Sequence, residues 1–417
     1  MEKDQQHVLI IGFVWPEPNS SAAGKRMLEL IHLFKDQGWQ VTFASSASET
    51  DHMSNLKDIG VDQVSIEMNS STFNDFVSEL NPSVVLFDRF VIEEQFGWRV
   101  AEECPDALRV LDTEDLHFLR RARKKAHHEN RVCSKEDLLS SKDAKREIAS
   151  IFRSDLSLII SESEMDLLRN VFDIDSRLLQ YLPFLLDPIT ELEKRALPGF
   201  SERSNFVTIG NFRHAPNMDA VRYLKKKIWP LIRRQLPEAQ LHVYGSYVTQ
   251  EAEQMHNPKE GFLVKGRAED ANEVVANAKV LLAPLRFGAG LKGKLIEAMQ
   301  CGTPNVTSTI GAEGLISDSE DWGGGIADDP EEFSDFARTL YRDEEAWNNA
   351  QRKGFSILKN KFIKPDFDKQ LIGKIEKLQK HLEEHRTHNF IGQMLMHHTA
   401  ESTKYMGRWI EAKNQNM

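Results

Sequence analysis

Short β-branched runs alternate with stretches of helical apolar period along this chain, and the alternation happens twice. "HVLIIGF" opens it. "SSAAGKRMLELIHLFKDQG" follows, with apolar residues at Met27, Leu30, Ile31 and Phe34 and a stop at Gly38, and "WQVTFASS" closes a β-α-β unit. Helix "STFNDFVSELNP", strand "SVVLFD", helix "EEQFGWRVAEECP" and strand "ALRVLDTED" continue the pattern. After a long charged helical section it ends with "DLSLIISES" and "SRLLQYLPF". The polar, proline-bearing "LLDPITELEKRALPGFSERS" interrupts it. A second series starts at "NFVTIGNF" and runs through "APNMDAVRYLKKKIWPLIRRQLP", "QLHVYGS", "GFLVKG", "DANEVVANA", "KVLLAPL", "KGKLIEAMQCG" and "TPNVTST". Strands that alternate with helices build parallel, doubly wound sheets. The expected fold class is α/β, with two Rossmann-like domains at residues 1–190 and 205–365, a linker at 191–204 and a helical tail at 366–417.

Two such sheets in one chain face a cleft, and ligands sit there beyond the carboxyl ends of the strands. A length of 417 residues suits two domains, and 40% apolar with 28% charged residues is ordinary for a globular protein. The formal charge of -11 leaves no dominant basic footprint and speaks against nucleic acid as the principal ligand. "VLIIGFVW" is too short to cross a bilayer and reads as a buried strand. Cys104, Cys133 and Cys301 have neither disulfide-framework nor metal-ligand spacing, which suits a reducing cytoplasm.

"GAGLKG" at 288–293 fits the G-x-G-x-x-G template of dinucleotide-binding folds, and Glu313 lies about twenty residues further on. That fingerprint belongs in the first β-α turn of its domain. Here it follows the fourth strand of the second series, with "RF" intervening, so NAD is not expected. What remains is an anion site: small residues let backbone amides approach a phosphate, the following helix N-terminus favours negative charge, and Lys292 and Lys294 add positive charge.

The order "VTIGNFRHAPNMDAVRYL", "LHVYGS", "VLLAPLRFGAGLKGKLIEAMQCGTPNVTSTIGAEGL", over roughly Asn205 to Leu315, resembles the donor-binding domain of GT-B glycosyltransferases, most nearly the family 4 retaining enzymes. The first half resembles the acceptor domain in architecture and in "GKRMLELIHLFKDQGWQVTF". The resemblance implies that Glu297 binds the donor ribose and that Arg213 with Lys292 or Lys294 holds the diphosphate. It also implies sugar contacts from the loop at Gly288, Gly290 and Leu291, and an approach of the first loop, at Gly24, to the phosphates. One position departs from the family pattern, because the first of its two glutamates, eight places before Glu297, is Ala289 here; the sugar and the stereochemical outcome are thereby left open. The terminal helices of such enzymes cross back onto the first domain. Apolar residues in the tail at Phe390, Ile391, Met394, Leu395, Tyr405, Met406, Trp409 and Ile410 have the spacing for that seam, or for an oligomer contact.

On the acceptor side, "LDTEDLHFLRRAR" sets Asp112, Glu114, Asp115 and His117 at the carboxyl end of a strand. Asp112 and His117 are the candidates for orienting an acceptor hydroxyl, although Thr113 or Asp115 capping the next helix explains the same pattern. "SSAAGKR" fails as a Walker motif twice, at Asn19 and at Arg26. The D-x-D strings at 173–175 and 366–368 follow no core strand, and no metal or other cofactor is expected. "RRARKKAHHENR" from Arg120 offers an anionic membrane a cationic face, or is simply a solvated helix. The expected partners are a nucleotide sugar and a hydroxyl-bearing acceptor. A nucleotide-sugar epimerase of the same fold and a non-catalytic scaffold in polysaccharide assembly are the alternatives; the base, sugar, acceptor and oligomeric state are not readable.

Overall fold

The computed structural model describes residues 6–316 and 322–415, with the side chains of 398–404 and 414–415 outside that description. Among the described residues, strands β1 (His7–Gly12), β2 (Gln40–Ser45), β3 (Asp62–Ser65), β4 (Val84–Asp88), β5 (Leu108–Asp112), β6 (Leu156–Ile159) and β7 (Leu179–Tyr181) form one sheet in the order β3-β2-β1-β4-β5-β6-β7. Strands β8 (Ser204–Ile209), β9 (Leu241–Tyr244), β10 (Phe262–Gly266), β11 (Ala278–Ala283), β12 (Asn305–Thr307) and β13 (Gly324–Ile326) form the second, in the order β10-β9-β8-β11-β12-β13. All of these strand pairs are parallel.

The central strands are buried on both faces, as parallel strands covered by helices must be, and so read as continuous apolar runs: every residue of Val84–Asp88 and Leu108–Asp112 is buried. Helix Ala22–Asp36 starts where the Ser21 side chain accepts from the Gly24 amide, and it lays Met27, Leu30, Ile31 and Phe34 against Val8, Ile10 and Leu86. The stretch read as one helix after β8 is interrupted. A wider turn at Leu224–Ile228 separates Ala215–Tyr223 from Trp229–Gln235, because Pro230 has no amide to give the helical ladder.

The strand order reverses beside β1 in one sheet and beside β8 in the other, so each domain opens a crevice at the carboxyl end of its first strand. The chain passes between sheets through 182–203, which holds a short helix, Glu191–Ala196, closed by a Thr190 and Glu193 capping box. It returns at Leu186 and Ile363, which pair as a parallel bridge: the Leu186 amide donates to the Phe362 carbonyl (2.8 Å) and the Lys364 amide to the Leu186 carbonyl (2.9 Å). Helix Lys364–Lys380 then puts Leu371 and Ile375 into the core of the first domain. Of the tail residues with the spacing for that seam, Phe390, Ile391, Met394, Tyr405, Met406 and Trp409 are exposed, and only Leu395 and Ile410 are half-buried.

Candidate active site in the interdomain cleft

The two crevices face one another and share a cavity of about 640 Å³. Its walls are the loops at the carboxyl ends of the strands, from Phe13 to Ala23 and Glu114 to Arg120 on one side and from Ile209 to Asn217 and Leu285 to Lys294 on the other. This size suits one elongated polar ligand.

Four of the predicted second-domain residues, Arg213, Lys292, Lys294 and Glu297, meet at this cavity together with Gly288 and Leu291. Lys294 Nζ donates to Asn217 Oδ1 at 2.9 Å, and burial pushes its ammonium down to about 8, so it gains most from an anion. Lys292 is folded back on its own loop, with Nζ donating to the Gly290 carbonyl at 2.6 Å; burial lowers its pKa against the pull of Glu313 and Glu164. The Arg213 guanidinium lies over the Tyr247 ring at 4.0 Å, with its charge open to the cavity. The Glu297 carboxylate, on helix Gly293–Gln300, makes no hydrogen bond among the described residues, and Lys25 of the first domain lies 3.9 Å from it.

The first-domain wall differs from expectation. Asp112 does not reach the cavity: it is fully buried behind the wall and paired with Arg26, Nη2 to Oδ1 at 2.9 Å. Gly24 also stands behind the wall, where its Cα abuts the backbone of Glu17; Ser20 to Ala23 line the cavity instead. His117 does line it, with Nε2 at 3.4 Å from Asp115 Oδ1, but burial pushes its pKa down to about 3 and the imidazole is neutral. Burial opposes ionisation of Asp115, yet the charge and hydrogen bond of Arg120 outweigh that and hold its carboxyl below the usual range. His214, next to Arg213, lines the cavity from the second domain, where neighbouring Arg120 disfavours its protonation and Asp115 favours it. Glu114 lines the cavity as well, and burial with neighbouring Asp112 pushes its carboxyl up to about 8.

The glycine loop is gripped from the first domain. Ala289 packs against that domain's apolar core and also borders the cavity, so a methyl group stands where the family pattern has its first glutamate. Gly290 has a φ of 61° and sits so close to Asp115 that an added Cβ would lie 2.7 Å from the Asp115 Cβ; its amide donates to Glu164 Oε1 at 2.7 Å and is not presented to the cavity. Arg123 donates to both Glu313 oxygens, at 2.6 and 2.7 Å, and to the Gly288 carbonyl at 3.0 Å. None of these partners is close in sequence, and only knowledge of how the domains dock would have found them. We expect Arg123→Ala to weaken docking by about 1.5–3 kcal/mol, the worth of hydrogen bonds to a charged group. Small-angle scattering should then show a larger radius of gyration with both domains still folded; an unchanged radius would show that the grip is dispensable.

The same helix, His117–His128, carries the basic run. Arg120, Arg121 and Arg123 pair with Asp115, Asp143 and Glu313, and Lys125 lies 4.0 Å from Glu129, so most of the run's charge faces an acid of this chain. Among the described residues no helix is long and apolar enough to cross a membrane.

The family model described as Glycosyl transferases group 1 matches residues 203–343, which is most of the second domain. No curated protein matches the chain. Sucrose-phosphate synthase from Thermosynechococcus elongatus superposes with a TM-score of 0.65 at 15% identity, covering 90% of this chain and 99% of that one. HepE of Anabaena, in a structure with UDP and glucose, gives 0.65 at 12% identity over 88% and 99%. The pneumococcal O-GlcNAc transferase GtfA, with UDP and GlcNAc, gives 0.63 at 12% over 90% and 99%. The fold is therefore GT-B, and the domain that matches group 1 is the one carrying Arg213, Lys294 and Glu297.

Proposed function

We propose that this protein is a glycosyltransferase that moves a sugar from a nucleotide-sugar donor to a hydroxyl acceptor, with the donor on the second domain and the acceptor on the first. The observation that carries the reading is the convergence of Lys294, Arg213 and Glu297 on one cavity whose opposite wall is a polar surface of the other domain. Glu297 would take the ribose hydroxyls, and Lys294 and Arg213 the charge that develops on the leaving diphosphate, in a cleft from which closure expels water. A donor phosphate beside Lys294 restores a full positive charge to an ammonium that burial disfavours. Retention of the anomeric configuration, transfer without a divalent cation, and a place in polysaccharide or glycoconjugate synthesis at a cytoplasmic site belong to this reading. The resemblance of the second domain to group 1 enzymes supports it, as do structures of HepE and GtfA that contain UDP.

The test is a thermal-shift screen of nucleotides, then product analysis with the stabilising nucleotide's sugars. Transfer to an acceptor supports the reading; sugar isomerisation with donor alone would mark an epimerase, and no nucleotide binding at all would point to a scaffold. Glu297→Gln should weaken binding of the nucleotide so identified by about 1.5–3 kcal/mol in calorimetry, since an amide cannot accept two charge-assisted hydrogen bonds from the ribose. Unchanged affinity would remove Glu297 from the site.

A further inference from the structure

We propose that Phe13, Arg89 and Glu114 form the acceptor subsite of this cleft and that it takes the ring of a neutral pyranoside. The proposal rests on the reading of the cavity as a transferase site. The three residues end adjacent strands: Phe13 follows β1, Arg89 follows β4 and Glu114 follows β5, and all three line the cavity. Arg89 and Glu114 are the two cavity-lining residues with left-handed backbone among the described residues, at φ 73° and 61°. Neither is a glycine or an asparagine, so each stores strain of a kind that folds retain where a side chain must be aimed.

The polar neighbours of Glu114 are already committed. Asp112 holds Arg26, Asp115 holds Arg120, and the Thr113 hydroxyl donates to the Leu158 carbonyl at 3.0 Å. Glu114 alone in this turn makes no side-chain hydrogen bond among the described residues. Held up to about 8 by burial and then Asp112, it is a carboxylic acid at neutral pH and both donates and accepts, as a sugar hydroxyl requires of its partner. On the same wall, two strands over, Phe13 is 46% exposed at the end of a buried strand, its amide donating to Asp88 Oδ2 at 2.9 Å and the Arg89 guanidinium on one side of its ring at 5.1 Å. An aromatic ring and a hydrogen-bonding acid on one wall match the two faces of a pyranose, one of C–H bonds and one of hydroxyls. The subsite has no spare positive charge, because Arg89 faces Asp88 at 3.4 Å and Arg120 faces Asp115. The cavity's open cations, Arg213 and Lys294, are those assigned to the donor diphosphate, so the ring that these three residues would take is neutral.

The experiment is saturation-transfer NMR on the full chain, with and without UDP, using methyl α-glucopyranoside, methyl α-mannopyranoside, methyl β-galactopyranoside and methyl N-acetyl-β-glucosaminide as probes. At least one should bind the wild type. Its affinity should fall at least about tenfold in Glu114→Ala and in Phe13→Ala, the loss expected when a buried partner goes missing, and stay within about threefold in Glu114→Gln, whose amide also donates and accepts. Wild-type binding should weaken above a pH of about 8 as Glu114 ionises among Asp88, Arg89, Asp112 and Arg26, whereas Glu114→Gln should show no such step. If UDP binds but no glycoside does, or Glu114→Ala binds a glycoside as the wild type does, the subsite is wrong and the donor reading stands. If a glycoside binds with this variant pattern while no nucleotide binds, the subsite stands and the donor reading falls.

Discussion

Replacing Asp112 by alanine is expected to cost about 3–5 kcal/mol of stability, the price of leaving a buried charge without its partner. Arg26 and Asp112 are almost wholly inaccessible, with Arg26 Nε 3.3 and 3.2 Å from the two carboxylate oxygens and Nη2 2.9 Å from one of them. The Arg26 Nη1 group also donates to the Leu182 and Pro183 carbonyls, at 2.8 and 3.0 Å, so the guanidinium fastens the first helix to the chain leaving β7. Without Asp112 it cannot withdraw into water without breaking those bonds. Because domains of this kind are stable by only about 5–15 kcal/mol, the loss should appear as a large drop in the denaturant midpoint. Exchanging both partners, Arg26→Met with Asp112→Leu, should recover part of it: an apolar pair carries no charge to desolvate, while the Leu182 and Pro183 carbonyls lose the donor they share. The Asp112→Ala protein keeping the wild-type midpoint while losing only activity would return Asp112 to the catalytic role its position in the sequence first suggested.

That misplacement shows where sequence reading stops. The core strands were legible because burial on both faces makes them uninterrupted apolar runs, as in "SVVLFD". Strands β3 and β13 escaped notice: "DQVS" and "GGI" lie at sheet edges, pair on one side only, and carry almost no apolar signal. That Lys292, Lys294 and Glu297 share one wall of the cavity was legible as well, since "GAGLKGKLIEAM" places them on one loop and one helix, whose geometry is local. On the first domain the acids from Asp112 to Asp115 are indistinguishable in sequence. Which one is buried depends on Arg26, 86 positions away, and the grip of Arg123 on Glu313 spans 190. The burial of Ala289 is set in the same way, by a core to which its own domain contributes nothing else.

The tail is where the remaining large effect is expected, and its seam differs from the one its apolar residues suggested. Phe390 and Trp409 are 72% and 60% exposed, because helix Phe390–Gln415 meets helices Phe90–Glu103 and Lys142–Arg153 with its glycine side inward. A Cβ on Gly392 would fall 2.2 Å from the Phe152 carbonyl oxygen, and Gly407 lies against Trp98, so close approach leaves the large side chains facing out. The seam is made earlier. Leu371 and Ile375 are fully buried with Val8, Ile10 and Leu86, and each contributes about 1.5–3 kcal/mol. A little further on, Arg386 donates to both oxygens of Asp155 at 2.8 Å and to the Ala107 carbonyl at 2.8 Å. A chain ending at Asn389 should therefore unfold close to the wild-type midpoint. One ending at Leu382 should lose about 1.5–3 kcal/mol with the hydrogen bonds of Arg386 to a buried carboxylate. One ending at Ile363 should fail to fold its first domain, while the second, whose cluster from Phe206 to Trp229 does not involve the tail, retains its own transition. Separate melting transitions in calorimetry distinguish these cases. If the chain ending at Ile363 shows both transitions at wild-type temperatures, helix Lys364–Lys380 does not complete the first domain's core, and the return crossing is an appendage.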